Sequence, residues 1–132
     1  MKVLALDYGS ARTGVAVSDP TGTVARPVGV VERAGDEAGL SRIGELVREH
    51  EAERVVVGLP LTMSGEHGQQ AAETEQFVSR LRETLDVQVE SFDERFTTDL
   101  AEQGEGATHG TDARAAAHLL SSYLTWSSRA SR

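Results

Sequence analysis

The chain has 132 residues, 39% of them hydrophobic and 5% aromatic, which is typical of one soluble globular domain with a core of its own. It contains no cysteine, so disulfides, zinc–thiolate sites and cysteine nucleophiles are excluded. Its net charge of -8 is unusual for a protein that binds nucleic acid, because phosphates favour a basic surface.

The first quarter of the sequence predicts three strands joined by short turns. They cover residues 2–7, 13–18 and about 24–32, and Gly, Ser, Asp and Pro supply the turns between them. The chain enters its first strand without a charged-then-apolar leader, and no later apolar run is long enough to span a bilayer. We therefore expect a cytoplasmic protein with no membrane contact.

The remaining sequence alternates between helices and strands. Apolar spacing predicts helices over about 36–50, 68–84 and 112–125, and strands over 54–60 and 87–94. The order β-β-β-α-β-α-β-α predicts an α/β fold with a five-stranded mixed sheet, antiparallel at first and then extended by right-handed parallel crossovers, with helices on its faces. We expect one domain over residues 1–126 and a flexible C-terminal tail over 127–132.

Three carboxylates stand at the ends of apolar elements. Asp7 ends the first strand, Glu94 closes the fifth, and Asp112 opens the last helix. Oxygen ligands of this kind hold Mg²⁺ or Mn²⁺, so together they favour a metal-dependent enzyme. Each also has a purely structural interpretation: Asp7 as a turn residue, Asp112 as a helix cap, and Glu94 as a surface acid paired with Arg95.

Five segments carry a resemblance to a known family: Leu6-Asp7-Tyr8-Gly9, Arg12-Thr13-Gly14-Val15-Ala16, Val57-Gly58-Leu59-Pro60-Leu61 with Gly65, Asp93-Glu94-Arg95-Phe96-Thr97-Thr98, and Asp112 with Ala115-Ala116. In order and spacing they resemble the YqgF family, whose members are named "putative Holliday junction resolvase" or "putative pre-16S rRNA nuclease". The resemblance implies a ribonuclease H-like fold and a nuclease whose acidic triad is Asp7, Glu94 and Asp112. In that fold the first strand lies centrally, with the fourth beside it and the fifth beyond.

The sequence departs from the family pattern in two places. The loop before the last acid is basic in many members, whereas residues 104–110 are Gly-rich and hold only His109 as a candidate cation. Thr62 and Ser64 stand where Asn and an acid are common. Both differences concern how the chain would hold its substrate.

Several polar residues are candidates for substrate contact. Arg95 could bind phosphate oxygens bidentately or form an ion pair with Asp93. Thr97 and Thr98 could donate to phosphate or cap a helical turn over 99–103. A further set of arginines is expected near the acids: Arg12, a substrate-binding candidate, with Arg26 and Arg114.

The expected function is that of a divalent-metal-dependent endonuclease. It would hydrolyse phosphodiester bonds in structured RNA or branched DNA, in processing of the pre-16S rRNA 5′ end or in Holliday junction resolution. The alternative is a non-catalytic nucleic-acid-binding module that retains the fold. Asp7-x-Gly9 also resembles the phosphate loop of actin-like ATPases and sugar kinases, but those enzymes use two such domains. A homodimer is a further expectation, with Tyr123 and Trp126 as packing residues that could lie at a subunit contact.

Overall fold

A five-stranded mixed sheet forms the centre of the protein. The computed structural model describes residues 1–60, 68–94 and 113–130. The strands are β1 (Val3–Asp7), β2 (Arg12–Ser18), β3 (Ala25–Glu32), β4 (Arg54–Leu59) and β5 (Gln88–Asp93), and the helices are α1 (Glu37–Glu49), α2 (Gln69–Thr84) and α3 (Ala113–Ala130). The sheet order is β3-β2-β1-β4-β5. Strands β1, β2 and β3 pair antiparallel, whereas β4 pairs parallel with both β1 and β5, as predicted.

The two faces of the sheet are covered by different helices. On one face, Leu4, Leu6, Val55 and Val57 pack in a core cluster with residues of α1 and α2, among them Ile43, Phe77 and Leu81. On the other face, Val3, Ala5 and Val56 pack with α3 through Ala116, Leu119, Leu120 and Tyr123. Because β1 and β4 are covered on both sides, both read as continuous apolar runs in the sequence.

Helix α3 runs antiparallel to β4. Leu119 lies against Gly58 near the end of β4, and Tyr123 is bonded to Arg54 at its beginning. The N-terminal end of α3 therefore lies at the edge of the sheet where β1, β4 and β5 end. This edge carries Asp7 and Glu94.

The C-terminal end of α3 differs from its prediction. The helix continues to Ala130, five residues beyond the expected end at 125. The end of the helix was hard to predict, because Ser127 and Ser128 do not continue the apolar spacing and no Gly or Pro follows to end the helix. Tyr123 is buried, as expected for a packing residue, while Trp126 is 47% exposed and contacts the ring of Phe92. The subunit contact and the domain division at 126 stay predictions.

None of the helices in the described ranges is long and apolar enough to cross a membrane. Predictions that fall on 61–67, 95–112 and 131–132 lie outside the described residues. They include Thr62, Ser64, the helical turn over 99–103 and the loop over 104–110.

Gly39 brings α1 close to the turn that precedes it. A Cβ at this position would lie 2.2 Å from the carbonyl oxygen of Arg33 and 2.6 Å from the Cα of Ala34. These are backbone atoms, which cannot move aside as a flexible side chain can. We therefore expect Gly39→Ala to lower the free energy of unfolding by about 3 kcal/mol, measured by urea denaturation.

The control for this prediction is Gly44→Ala on the same helix. A Cβ at Gly44 would meet only side-chain atoms at 3.6 and 3.8 Å, which is ordinary contact. Alanine is the better helix former, so this variant should gain up to about 1 kcal/mol. Equal effects of the two substitutions would contradict the close approach at Gly39.

Candidate active site

Asp7 ends the central strand on the face covered by α3. Strand alternation puts it on the same side of β1 as Val3 and Ala5, which belong to the α3 core cluster. It pairs with Gly14 of β2 and is only 9% exposed. A carboxylate at this depth is unusual, because burial disfavours its charged form unless hydrogen bonds or a cation compensate.

Glu94 follows directly after β5, two strands away from Asp7. Neighbouring strands lie about 4.8 Å apart, so the backbones of β1 and β5 are separated by roughly 10 Å. The intervening position on β4 is Gly58, which pairs with Phe92 of β5. Extending the register Leu6–Val57 by one residue also puts Gly58 beside Asp7.

The Glu94 side chain lies over Gly58. A Cβ on Gly58 would be 2.6 Å from Oε2 of Glu94 and 3.0 Å from its Cγ, closer than real Cβ contacts allow. The missing side chain thus gives the longer acid the space to reach across β4 on the face that carries Asp7.

Burial raises the pKa of Glu94, and the neighbouring charge of Asp93 raises it further. The ionised carboxylate is therefore poorly stabilised by the protein alone. A cation beside it would favour the charged form. This electrostatic situation is the one expected of a metal ligand, and it argues against a surface acid.

The remaining predicted site residues fall outside the described residues. These are Asp112, Arg95, Thr97 and Thr98. Across the described ranges, no group of three or more His, Asp or Glu side chains could hold a metal ion. Asp7 and Glu94, two of the three predicted acids, thus lie on the same face and at the same edge of the sheet. The third acid, Asp112, is the residue before Ala113, where α3 begins.

Three other arginines were expected near the acids, and one of them, Arg26, lies at the other end of the sheet. Arg12 is the first residue of β2, is exposed, and pairs with Glu32 at the end where Asp7 lies. Arg26 pairs with Val17, five residues further along β2, so its predicted closeness to the acids is wrong. The order of strands in the sequence did not reveal this, because β3 runs antiparallel to β2 and begins far from the acidic edge. Arg114 lies in the first turn of α3 and is exposed.

A partly buried polar cluster links α3 to β4 and β5 at the opposite end from the acids. Arg54 Nη1 donates to the hydroxyl of Tyr123 at 2.9 Å and forms an ion pair with Glu90 at 3.4 Å. The Tyr123 hydroxyl also donates to Glu90. Tyr123 was predicted to be a packing residue that could lie at a subunit contact. Its bonds to Arg54 and Glu90 were not predictable, because the three residues are far apart in the chain and no spacing links them.

Comparison with known proteins identifies the family. A family model described as "RuvX: Holliday junction resolvase" matches residues 1–126. The chain belongs to the RuvX family. The YqgF motifs recognised in the sequence are those of this family, and as a member the protein is a nuclease of the resolvase type.

Two RuvX relatives show the extent of the likeness. A protein of Chloroflexus aggregans named "Putative pre-16S rRNA nuclease" is 48% identical over 101 residues, which span 76% of this chain and 71% of the relative. A protein of the same name from Syntrophomonas wolfei is 36% identical over 132 residues, with 94% of each chain covered.

The fold of this RuvX protein is that of solved RuvC structures. The structure "T. thermophilus RuvC in complex with Holliday junction substrate" matches with a TM-score of 0.67 at 15% identity, covering 98% of this chain and 96% of the other. A second Thermus thermophilus RuvC structure matches with a TM-score of 0.60 at 17% identity, covering 96% and 97% of the two chains. The predicted ribonuclease H-like fold is confirmed.

The raised pKa of Glu94 predicts how stability without metal depends on pH. The folded state holds this proton more tightly than the unfolded state, so ionisation of Glu94 lowers the free energy of unfolding as the pH rises above its ordinary pKa of 4.5. Glu94→Gln should therefore raise the melting temperature in EDTA at pH 7. The gain should shrink towards zero at pH 4, where wild-type Glu94 is protonated in both states.

A series of thermal melts of both proteins across this pH range checks the prediction. Glu83→Gln, at an exposed position on α2, is the matched control and should have a much smaller effect at pH 7. A gain for Glu94→Gln that is the same at pH 4 and pH 7 would mean that the carboxylate is not destabilised by its charge.

Proposed function

We propose that the protein is a divalent-metal-dependent endonuclease in which Asp7, Glu94 and Asp112 hold the metal. The observation that carries the proposal is the position of Glu94 across Gly58, on the same face and edge of the sheet as the buried Asp7. If Asp7 were only a turn residue and Glu94 only a surface acid, Glu94 would not need the space that Gly58 leaves on β4. The alternative, a binding module without catalysis, has no feature of the described residues in its favour.

The donors at this edge fit Mg²⁺ or Mn²⁺. Both ions prefer oxygen ligands, and the two described acids supply carboxylates. Asp7 is buried, and burial raises the pKa of Glu94, so a cation would favour the charged form of Glu94. The chain has no cysteine to favour a softer metal. When bound, such an ion would polarise the phosphate and lower the pKa of an attacking water.

The protein's own residues would orient the substrate around these acids. Asp7 and Glu94 are held by the ends of β1 and β5, so their separation is fixed by the sheet and not by a loop. Asp112 precedes α3, whose first turn lies at the same edge. Phosphate oxygens next to the scissile bond would be bound by four residues: Arg12, Arg95, Thr97 and Thr98.

Structured nucleic acid is the proposed substrate class. The names of the relatives from Chloroflexus aggregans and Syntrophomonas wolfei support pre-16S rRNA, whose 5′ end would be processed in the cytoplasm. The family description supports a Holliday junction. Cleavage of a labelled pre-16S 5′-end fragment, compared with cleavage of a four-way DNA junction, would decide between these two substrates.

Asp7→Asn tests whether Asp7 holds metal. The substitution keeps the shape and the capacity to form an Asx-turn but removes one negative charge. We expect single-turnover cleavage at saturating protein to fall by at least about a hundredfold, while stability without metal is unchanged or improved by relieved repulsion. Millimolar Mg²⁺ or Mn²⁺ should raise the melting temperature of the wild type and shift that of the variant much less.

Near-normal cleavage by Asp7→Asn would remove Asp7 from the mechanism. Binding without cleavage by the wild type, in either metal, would instead favour the binding module.

Gly58→Ala tests the arrangement of the two acids without touching either of them. The new Cβ would lie 2.6 Å from Oε2 of Glu94, whose flexible side chain can move aside, and 3.0 Å from Cδ2 of Leu119, which would have to shift slightly. We expect cleavage and metal-induced stabilisation to be largely lost, with a loss of unfolding free energy of no more than about 2 kcal/mol. Thermal melts with and without Mn²⁺, beside a cleavage assay, measure both effects.

Gly29→Ala on β3 is the matched control, because a Cβ there would have no neighbour within 4 Å. Full activity of Gly58→Ala would show that Glu94 need not lie across β4.

A further inference from the structure

A groove next to the acidic edge is lined by three arginines. It lies between the β1–β2 turn, the β3–α1 turn and α2, and has a volume of about 770 Å³. Arg12, Arg33 and Arg80 line it together with Tyr8, Ser10 and Asp36. We call it the arginine groove. The groove was not predictable from the sequence, because its residues come from separate elements that share no periodic pattern.

The charge of the arginine groove differs from that of the chain. The protein has 13 basic residues and a net charge of -8, yet three of those basic residues line this one groove. Glu32 and Asp36 also line it, but in the described part of the chain neither Arg12 nor Arg33 forms an ion pair with them or with any other acid. The guanidinium groups are thus available to a ligand. Arg80 is held at the groove wall, where Nη1 donates to the carbonyl oxygen of Gly35 at 2.5 Å.

The backbone of Arg33 adds a second observation. Its φ of 49° lies in the left-handed region, which costs a residue with a side chain roughly 1 kcal/mol or more. The turn is held by hydrogen bonds from Arg33 N–H to the carbonyl oxygen of Ala11 and from Asp36 N–H to that of Arg33. Glycine would adopt this conformation without strain, yet the chain has an arginine at this position.

Helix α1 begins at the same groove. Its N-cap residue, Asp36, makes no side-chain hydrogen bond to the first turn. The free N–H groups and the positive end of the helix dipole favour a bound anion. Together with the three guanidinium groups, they make phosphate the chemical class that fits the groove.

The arginine groove is continuous with the acidic edge. Tyr8 lines the groove and follows Asp7 directly, so their Cα atoms are about 3.8 Å apart. The ring of Tyr8 stacks on Phe77 of α2, with centroids 4.4 Å apart, which fixes it on the face of the sheet opposite to α3. A nucleic-acid strand with one phosphate at Asp7 would therefore reach the groove as it crosses the end of β1.

We infer that the arginine groove binds the phosphate backbone of the substrate strand on one side of the scissile bond. The inference rests on the proposed nuclease function, since it places the groove beside the cleavage point. Arg33 and Arg80 become substrate-binding residues in addition to Arg12. They supply some of the positive charge that the acidic chain otherwise lacks.

Binding of a labelled four-way junction or structured RNA, measured against salt, tests the inference. The measurement is made in the Asp7→Asn background and in EDTA, so that the substrate stays intact whether or not the proposed mechanism is right. Arg33→Gln should weaken binding about five- to tenfold at low salt, and the log–log salt slope should fall by about 0.9 for the lost phosphate contact. Arg26→Gln, an exposed arginine at the far end of the sheet, should change neither.

Two further measurements separate binding from folding and from other ligands. Arg33→Gly relieves the backbone strain, so it should weaken binding as Arg33→Gln does without lowering the melting temperature. Shortening the substrate on the groove side of the cleavage point should make the wild type and Arg33→Gln bind equally.

Equal binding by Arg33→Gln and Arg26→Gln to the full-length substrate would overturn the inference and leave the proposed nuclease function intact. Saturable binding of ATP that Arg33→Gln abolishes, with unchanged affinity for nucleic acid, would assign the groove to free nucleotides instead and overturn it as well. Loss of binding in Arg33→Gln together with normal cleavage by an Asp7→Asn protein would have the opposite meaning. It would support the groove and refute the proposed role of Asp7.

Discussion

The arrangement of the acidic edge depends on one steric constraint, the absence of a side chain at Gly58. β1 and β5 are separated by β4, and a carboxylate from β5 can approach Asp7 only by passing over this middle strand. Any Cβ at Gly58 would enter the volume of the Glu94 carboxylate. The side chains on each side are consistent with this geometry: a short acid on the central strand and a long acid on the outer one. Burial then makes the Glu94 charge costly, which a bound cation would offset.

The sheet separates two tasks between its faces. Asp7 and Glu94 lie on the face covered by α3, whereas Tyr8 turns to the face covered by α1 and α2 and lines the arginine groove. Because successive residues of a strand point to opposite faces, two neighbouring positions, Asp7 and Tyr8, face the acidic edge and the arginine groove. The acids and the arginines are thereby kept on opposite faces of the sheet, although they meet at the end of one strand.

Much of this was predictable from the sequence, and the exceptions have physical reasons. Continuous apolar runs revealed β1 and β4, and Asp7 was recognisable as the acid that ends β1. Glu94 was recognisable as the acid that follows the alternating strand β5. The length of α3 was underestimated because Ser127 and Ser128 carry no apolar signal, although the helix continues through them. Arg26 was misplaced, and Arg33, Arg80 and the Tyr123–Arg54–Glu90 cluster were missed, since these depend on which strand ends and turns meet in space. The roles of Asp112, Arg95, Thr97 and Thr98 remain predictions from the family motif.

The central position of β1 has a consequence for the order of events during synthesis. β1 is made first, but its parallel partner β4 begins only at Arg54, and the register that brings Glu94 over Gly58 needs β5. Long-range parallel pairing of this kind forms late, after most of the chain is available. The acidic edge therefore cannot assemble on a nascent chain until β5 and Glu94 have left the ribosome. A nascent chain that has paired only β1 to β4 would hold Asp7 in place without the second acid.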